Sequence, residues 1–199
     1  MNRRTVIKNL ALVIGGAALL PSCLHDSGKA SIALKKINVS ADQEKFLADV
    51  AETIIPKTDT SGAKDLNLHL FVLKMVDDCF SKKDQTAFMS GLDKLSKEAE
   101  NRFGKPFGQC SQSQRESLLN ELDHKQAEFY KAQQANKNAK KEVPADDMLA
   151  FYAITKGETV FGYTNSKYFM TKQIVWELVP GRYNAYFPVK NLKPNIKHG

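Results

Sequence analysis

From Asp65 to Phe80 the chain is apolar almost all the way round a helix. Leu66, Leu68, Leu70, Phe71, Val72, Leu73, Met75 and Val76 fall on every side. A helix with no polar face has to be buried on all sides. The spacing therefore predicts a central helix over 65–80 and demands other elements to surround it. The flanking sequence supplies helices. Ser40-Ala41-Asp42-Gln43 has the spacing of a capping box, and Phe46, Leu47, Val50, Ala51 and Ile54 follow at helical period until Pro56. Residues 56–63 are turn formers. Ser81 to Asp84 caps a further helix with Phe88, Leu92, Leu95, Ala99 and Phe103 in one stripe, broken by Gly104 to Gly108 around Pro106.

Ser111 and Gln114 open another helix carrying Leu118, Leu119, Leu122 and Phe129. It turns polar from Lys125 to Glu142, a solvated helix or one that frays into a linker. Pro144 with Ala145, Asp146 and Asp147 reads as a helix start, followed by Met148, Leu149, Phe151, Tyr152, Ile154, Val160 and Phe161. Gly162 to Ser166 reads as a turn, and Tyr168, Phe169, Ile174, Val175 and Trp176 as one more helix stopped by Pro180-Gly181. Strands would need an alternating pattern, and none occurs. The expected class is all-α: a compact bundle of five to six helices with an irregular C-terminal tail.

Residues 1–23 read as an address. Arg3-Arg4-Thr5-Val6-Ile7-Lys8 precedes an apolar run from Leu10 to Leu20, too short to span a bilayer comfortably. The arginine pair resembles the twin-arginine signal, a receptor-read route for folded cargo. A chance pair on an ordinary signal peptide is the plainer alternative. Leu20-Pro21-Ser22-Cys23 resembles a lipobox, which would leave an acylated Cys23 at the mature N-terminus; simple cleavage near Ser22 would leave a soluble periplasmic protein. Residues 24–39 then read as a flexible tether. The formal charge of +7 falls to +4 once Arg3, Arg4 and Lys8 are removed. With no basic patch interleaved with aromatics, nucleic acid is an unsuitable partner.

Cysteine usage fits that compartment. With Cys23 lipidated, Cys79 and Cys110 remain, an even number where bridges persist. A Cys79–Cys110 disulfide would close a loop of about 30 residues and contribute about 3.5–4 kcal/mol. Two thiols that never meet are the alternative.

Catalytic motifs are missing. The sequence has no GxGxxG, P-loop, GxSxG or HExxH. The four histidines, at 25, 69, 124 and 198, have no pair at ligand spacing. His69 reads as a core or helix-surface residue. Asp77 and Asp78 are adjacent, so on a helix they point about 100° apart and cannot face each other as an acid pair. Glu52 and Asp59 are candidates only by exclusion. No catalytic, cofactor or metal residue is expected. The informative stretch is 161–188, which holds Phe161, Tyr163, Tyr168, Phe169, Trp176, Tyr183, Tyr186 and Phe187, with Arg182 beside Tyr183. Trp, Tyr and Arg are the residue types enriched at interface centres. The same residues would alternatively close the domain's own core.

Four separated motifs carry a family resemblance. ETIIPKTDTSGAKD (52–65), FVLKMVDDCF (71–80), the Gly162–Ser166 turn and KYFMTKQIVWELVPGRYNAYFPV (167–189) occur in order. Together they resemble the gluconate 2-dehydrogenase subunit 3 family over roughly residues 40–190. The chain departs from the pattern at Ser61, where proline is frequent, in GYTNS, which lacks a phenylalanine, at Asn184 for aspartate and at Tyr186 for cysteine. The resemblance implies a small, non-catalytic subunit of a periplasmic sugar or alcohol dehydrogenase. FAD and the chemistry would reside in a separate large subunit resembling the glucose-methanol-choline oxidoreductases, with a cytochrome c in some complexes. The small subunit would assist export and stability of the flavoprotein. Docking is expected at Tyr163, Trp176, Pro180, Gly181, Arg182 and Tyr183, and membrane attachment at Cys23. The expected layout is a signal (1–23), a tether (24–39), the helical domain (40–190) and a tail (191–199). The alternatives are a stand-alone lipoprotein with a ligand pocket near His69 and Tyr163, or a small enzyme with an unfamiliar site.

Overall fold

Ser40 starts the first helix as its spacing predicts. In the computed structural model, which describes residues 28–135 and 143–174, its side chain accepts from the Gln43 N–H and the Gln43 side chain returns to the Ser40 N–H. This reciprocal cap opens α1, Ala41–Ile54. The central apolar helix is α2, Leu68–Cys79. It begins three residues later than the expected Asp65, because Asn67 adopts a left-handed conformation (φ 52°) that turns the chain into the helix. Asparagine tolerates that region better than most residues.

Ser81 caps α3, Lys82–Phe103, and Gly104 closes it with φ 68°. After a 3₁₀ turn at Phe107–Gln109, Ser111 and Gln114 exchange capping bonds at the start of α4, Gln112–Ala135. The last helix, α5, is Asp147–Thr164, with Asp146 accepting from the Leu149 N–H. Pro144 thus lies ahead of the helix. The predicted turn at Gly162 is also displaced: α5 continues to Thr164 and the chain turns at Asn165. A five-residue π-type turn, Phe169–Gln173, follows in place of the expected regular helix, and Ile174 is extended. Val175, Trp176 and the tail lie outside the described residues.

Among the described residues the class is all-α, with a single isolated bridge between Lys29 and Ser40. No described helix is long and apolar enough to cross a membrane. The core is built on rings. Phe46 meets Phe107 edge-on at 5.5 Å and stacks on Phe151 at 6.1 Å, and Phe151 meets Phe88 at 5.0 Å. Truncating a buried ring of this kind costs about 3–5 kcal/mol. α3 and α5 pack backbone to backbone at Gly91, where a Cβ would lie 2.0 Å from the Asp147 carbonyl oxygen and 2.6 Å from Phe151 Cβ. The end of α2 is tied by Gln85 of α3, fully enclosed, whose amide donates to the carbonyls of Val76, Asp77 and Phe80.

Two expectations need correction. Residues 28–39 are packed onto the body rather than hanging free. Ile37 and Val39 are buried, and Ala30, Ile32 and Leu34 pack against the same core. Cys79 and Cys110 are both free, one exposed at the end of α2 and the other buried after the 3₁₀ turn. The Cys110 thiol lies 3.6 Å from the Pro106 carbonyl and 3.9 Å from that of Lys105.

Candidate functional site: an exposed aromatic face

Glu52, near the end of α1, organises the turn-former loop that follows. Its two carboxylate oxygens accept from the backbone N–H of Lys57 (3.0 Å) and of Lys64 (2.7 Å). The loop is pinned back onto the helix by the Ala63 N–H bonded to the Ile55 carbonyl. Asp65 reinforces it with bonds from Lys57 Nζ and the Gly62 N–H. Lys64 Nζ pairs with the buried Asp49. The carboxylate at Glu52 is therefore a loop organiser. Asp59, the other carboxylate reached by exclusion, is exposed at the loop's tip.

This loop meets the end of α5. The Ser61 N–H donates to Tyr168 Oη at 3.0 Å, and Gln173 Nε2 donates to the same oxygen at 2.9 Å. The Ser61 N–H bond is the main reason the Tyr168 phenol is held below its usual pKa. Tyr163 packs on the small cluster of Ala51, Ala63 and Leu68, and its ring meets Phe169 at 5.5 Å and Tyr168 at 6.4 Å. Gly162 lets α5 lie against α2, since a Cβ there would be 2.7 Å from Phe71 Cδ1. Phe71 in turn lies 6.2 Å from Phe161. Segments 52–65, 162–166 and 167–173 thus meet at one end of the bundle, where Phe71 joins them, while the rest of 71–80 runs along α2 toward Asp77 and the strap.

That end is open to solvent. Phe161 is 52% exposed, Val160 42% and Ile174 37%. An exposed phenylalanine backed by a half-buried one has the make-up of a protein contact surface; Tyr163, Tyr168 and Phe169 form a separate ring group at the same end of α5. Tyr163 is the one expected docking residue among those described. Trp176, Pro180, Gly181, Arg182 and Tyr183 lie outside them, as do Arg3, Arg4 and Cys23. Phe71 was legible only as part of an apolar helix; its place at the face follows from the gap above Gly162.

The expected pocket near His69 and Tyr163 has no counterpart in the two larger clefts described. One, of about 470 Å³, lies between Phe46, Asp49, Phe107 and Gly108. The other, of about 450 Å³, lies beside Asp123, Tyr130, Lys156 and Val160. His69 sits with Nε2 3.8 Å from Glu44, and burial lowers its pKa against the pull of that carboxylate. In the second cleft Asp123 accepts from Tyr152 Oη at 3.2 Å and pairs with Lys156. Burial first, and then Asp123, raise the Tyr152 phenol far above its usual range. Among the described residues no group of three His, Cys, Asp or Glu is placed to hold a metal ion.

Residues 41–181 match the family model for gluconate 2-dehydrogenase subunit 3, a span that includes these segments. The chain belongs to that family. It is accordingly an accessory-type chain of a dehydrogenase complex. No curated protein and no solved structure matches it.

Proposed function

We propose that the chain is the non-catalytic small subunit of a membrane-associated, FAD-dependent sugar or alcohol dehydrogenase. It assists the export and stability of a large flavoprotein subunit related to the glucose-methanol-choline oxidoreductases, to which some complexes add a cytochrome c that carries the electrons onward. FAD resides in the large subunit. The observation that carries the reading is the exposed ring at Phe161, backed by Phe71, at the end of the bundle where the family segments meet. The twin-arginine pair Arg3-Arg4 supports export as folded cargo into the periplasm. Cys23 supports a lipid anchor, because each acyl methylene buried in a bilayer contributes about 0.8 kcal/mol.

Export on a partner's behalf is tested by locating the flavoprotein. Replacing the chain with an Arg3→Lys, Arg4→Lys variant should leave the flavoprotein in the cytoplasmic fraction and remove dehydrogenase activity from the cell envelope. A flavoprotein that reaches the envelope at normal levels with that variant would overturn the export role.

A further inference from the structure

Residues 28–39 form a closed strap over one pole of the bundle. The Ala41 N–H donates to the Gly28 carbonyl at 2.6 Å, and the Ala30 N–H to the Val39 carbonyl at 3.0 Å. Two carboxylates clamp the loop between them. Glu44 accepts from the Ser31 N–H (2.6 Å) and hydroxyl (2.7 Å). Asp77, fully buried, accepts from the N–H groups of Lys35 (2.8 Å), Lys36 (2.6 Å) and Ile37 (3.0 Å). The strap therefore fixes Gly28, the first described residue, beside the first residue of α1.

The distances on either side of that point set an orientation. From Cys23 to Gly28 is five residues, a reach of at most about 18 Å. α1 runs away from the same point over 14 residues, which is about 20 Å. At its far end stand the loop of residues 56–66, Tyr168 and the aromatic face. Lys29, Lys35 and Lys36 are exposed on the strap. The nearby acids are Glu44 and Asp77, which hold the strap, Asp42 in the first turn of α1, Asp93, which accepts from the Gln43 amide at 2.8 Å, and Asp78, which is paired with Lys74 at 3.1 Å and whose carbonyl accepts from Lys36 Nζ. Exposed lysines beside a lipid anchor are attracted to anionic headgroups.

We propose that the strap pole is a membrane-facing surface. It seats the body on anionic lipid headgroups and turns the Phe161 face away from the bilayer, where a large partner can reach it. The proposal rests on the reading of Cys23 as the anchor.

The full chain, processed in cells and reconstituted in vesicles containing anionic lipid with acceptor-labelled headgroups, provides the test. In a Cys79→Ser background, a donor dye is attached through Asn38→Cys on the strap or Asp59→Cys on the distal loop, both exposed positions. The mass of the N-terminal peptide reports acylation of Cys23 in the same samples. The expected result is an acylated chain whose Asp59-site dye stands about 20 Å further from the headgroups than the Asn38-site dye. Unclamping the strap with Glu44→Gln and Asp77→Asn should shrink that difference at unchanged acylation. If the double variant does not fold, the comparison of the two dye sites in the clamped chain decides alone. Equal heights in an acylated chain overturn the orientation while leaving the anchor intact. A chain without acyl groups overturns the anchor and the orientation together.

Discussion

Asp77 is the residue on which most local structure depends. Adjacent aspartates on a helix divide their roles by direction: Asp78 faces solvent with Lys74, while Asp77 points inward and collects three backbone N–H groups. Burial opposes its ionisation, but the donors at Lys35, Lys36 and Ile37, aided by Lys74, outweigh it and hold the carboxyl below its usual value. Hydrogen bonds to a buried charge are each worth about 1.5–3 kcal/mol, and orphaned donors are costly. Asp77→Ala should therefore destabilise the protein by about 3 kcal/mol or more in urea unfolding and expose residues 30–39 to hydrogen exchange. The sign with pH follows from the depressed pKa. The contribution of Asp77 is complete above the unfolded value near 3.8 and is lost as pH falls through the lower folded value. Acid unfolding of the Asp77→Asn chain should lack that component when the two are titrated side by side. A second residue gives the opposite direction of change. Thr155 is fully buried on α5, and its hydroxyl has no hydrogen-bond partner among the described residues. The isosteric Thr155→Val should stabilise by up to about 1 kcal/mol, read as a raised Tm.

At the scale of elements, the closest approach decides the packing. α3 and α5 meet at Gly91 with no room for a Cβ, because the Asp147 carbonyl is backbone and cannot give way. Gly91→Val should cost more than about 3 kcal/mol or prevent folding, measured as soluble yield and thermal unfolding. The caps and stripes of the helices were legible in the sequence because they are local: Ser40, Ser81 and Ser111 each bond within three residues. What was not legible depended on distant partners. Gly162 reads as a turn former, yet it remains in α5 because Phe71 fills the space beside it. Residues 28–39 have no period and read as a tether; they are ordered by Asp77, some 40 positions away. The aromatic character of the candidate site was visible in advance, whereas the link from Ser61 to Tyr168 spans 107 positions and no local pattern announces it.

The described part of the molecule has two ends. One carries the strap and its lysines, and the other carries the aromatic face at Phe161 and Phe71. An exposed ring that serves docking should matter little to the fold and greatly to the complex. Phe161, 52% exposed, tests that separation: Phe161→Ser should change unfolding free energy by less than about 1 kcal/mol. A larger loss of stability would assign the ring to this chain's own core. The most direct measurement is the absorbance spectrum of what accompanies the protein out of native membranes in mild detergent, recorded for the unaltered chain and for Phe161→Ser. A large flavin-bearing chain recovered with the former and depleted with the latter is the predicted result. A lone chain with no flavin, or equal flavin recovery with both, would contradict docking through this face.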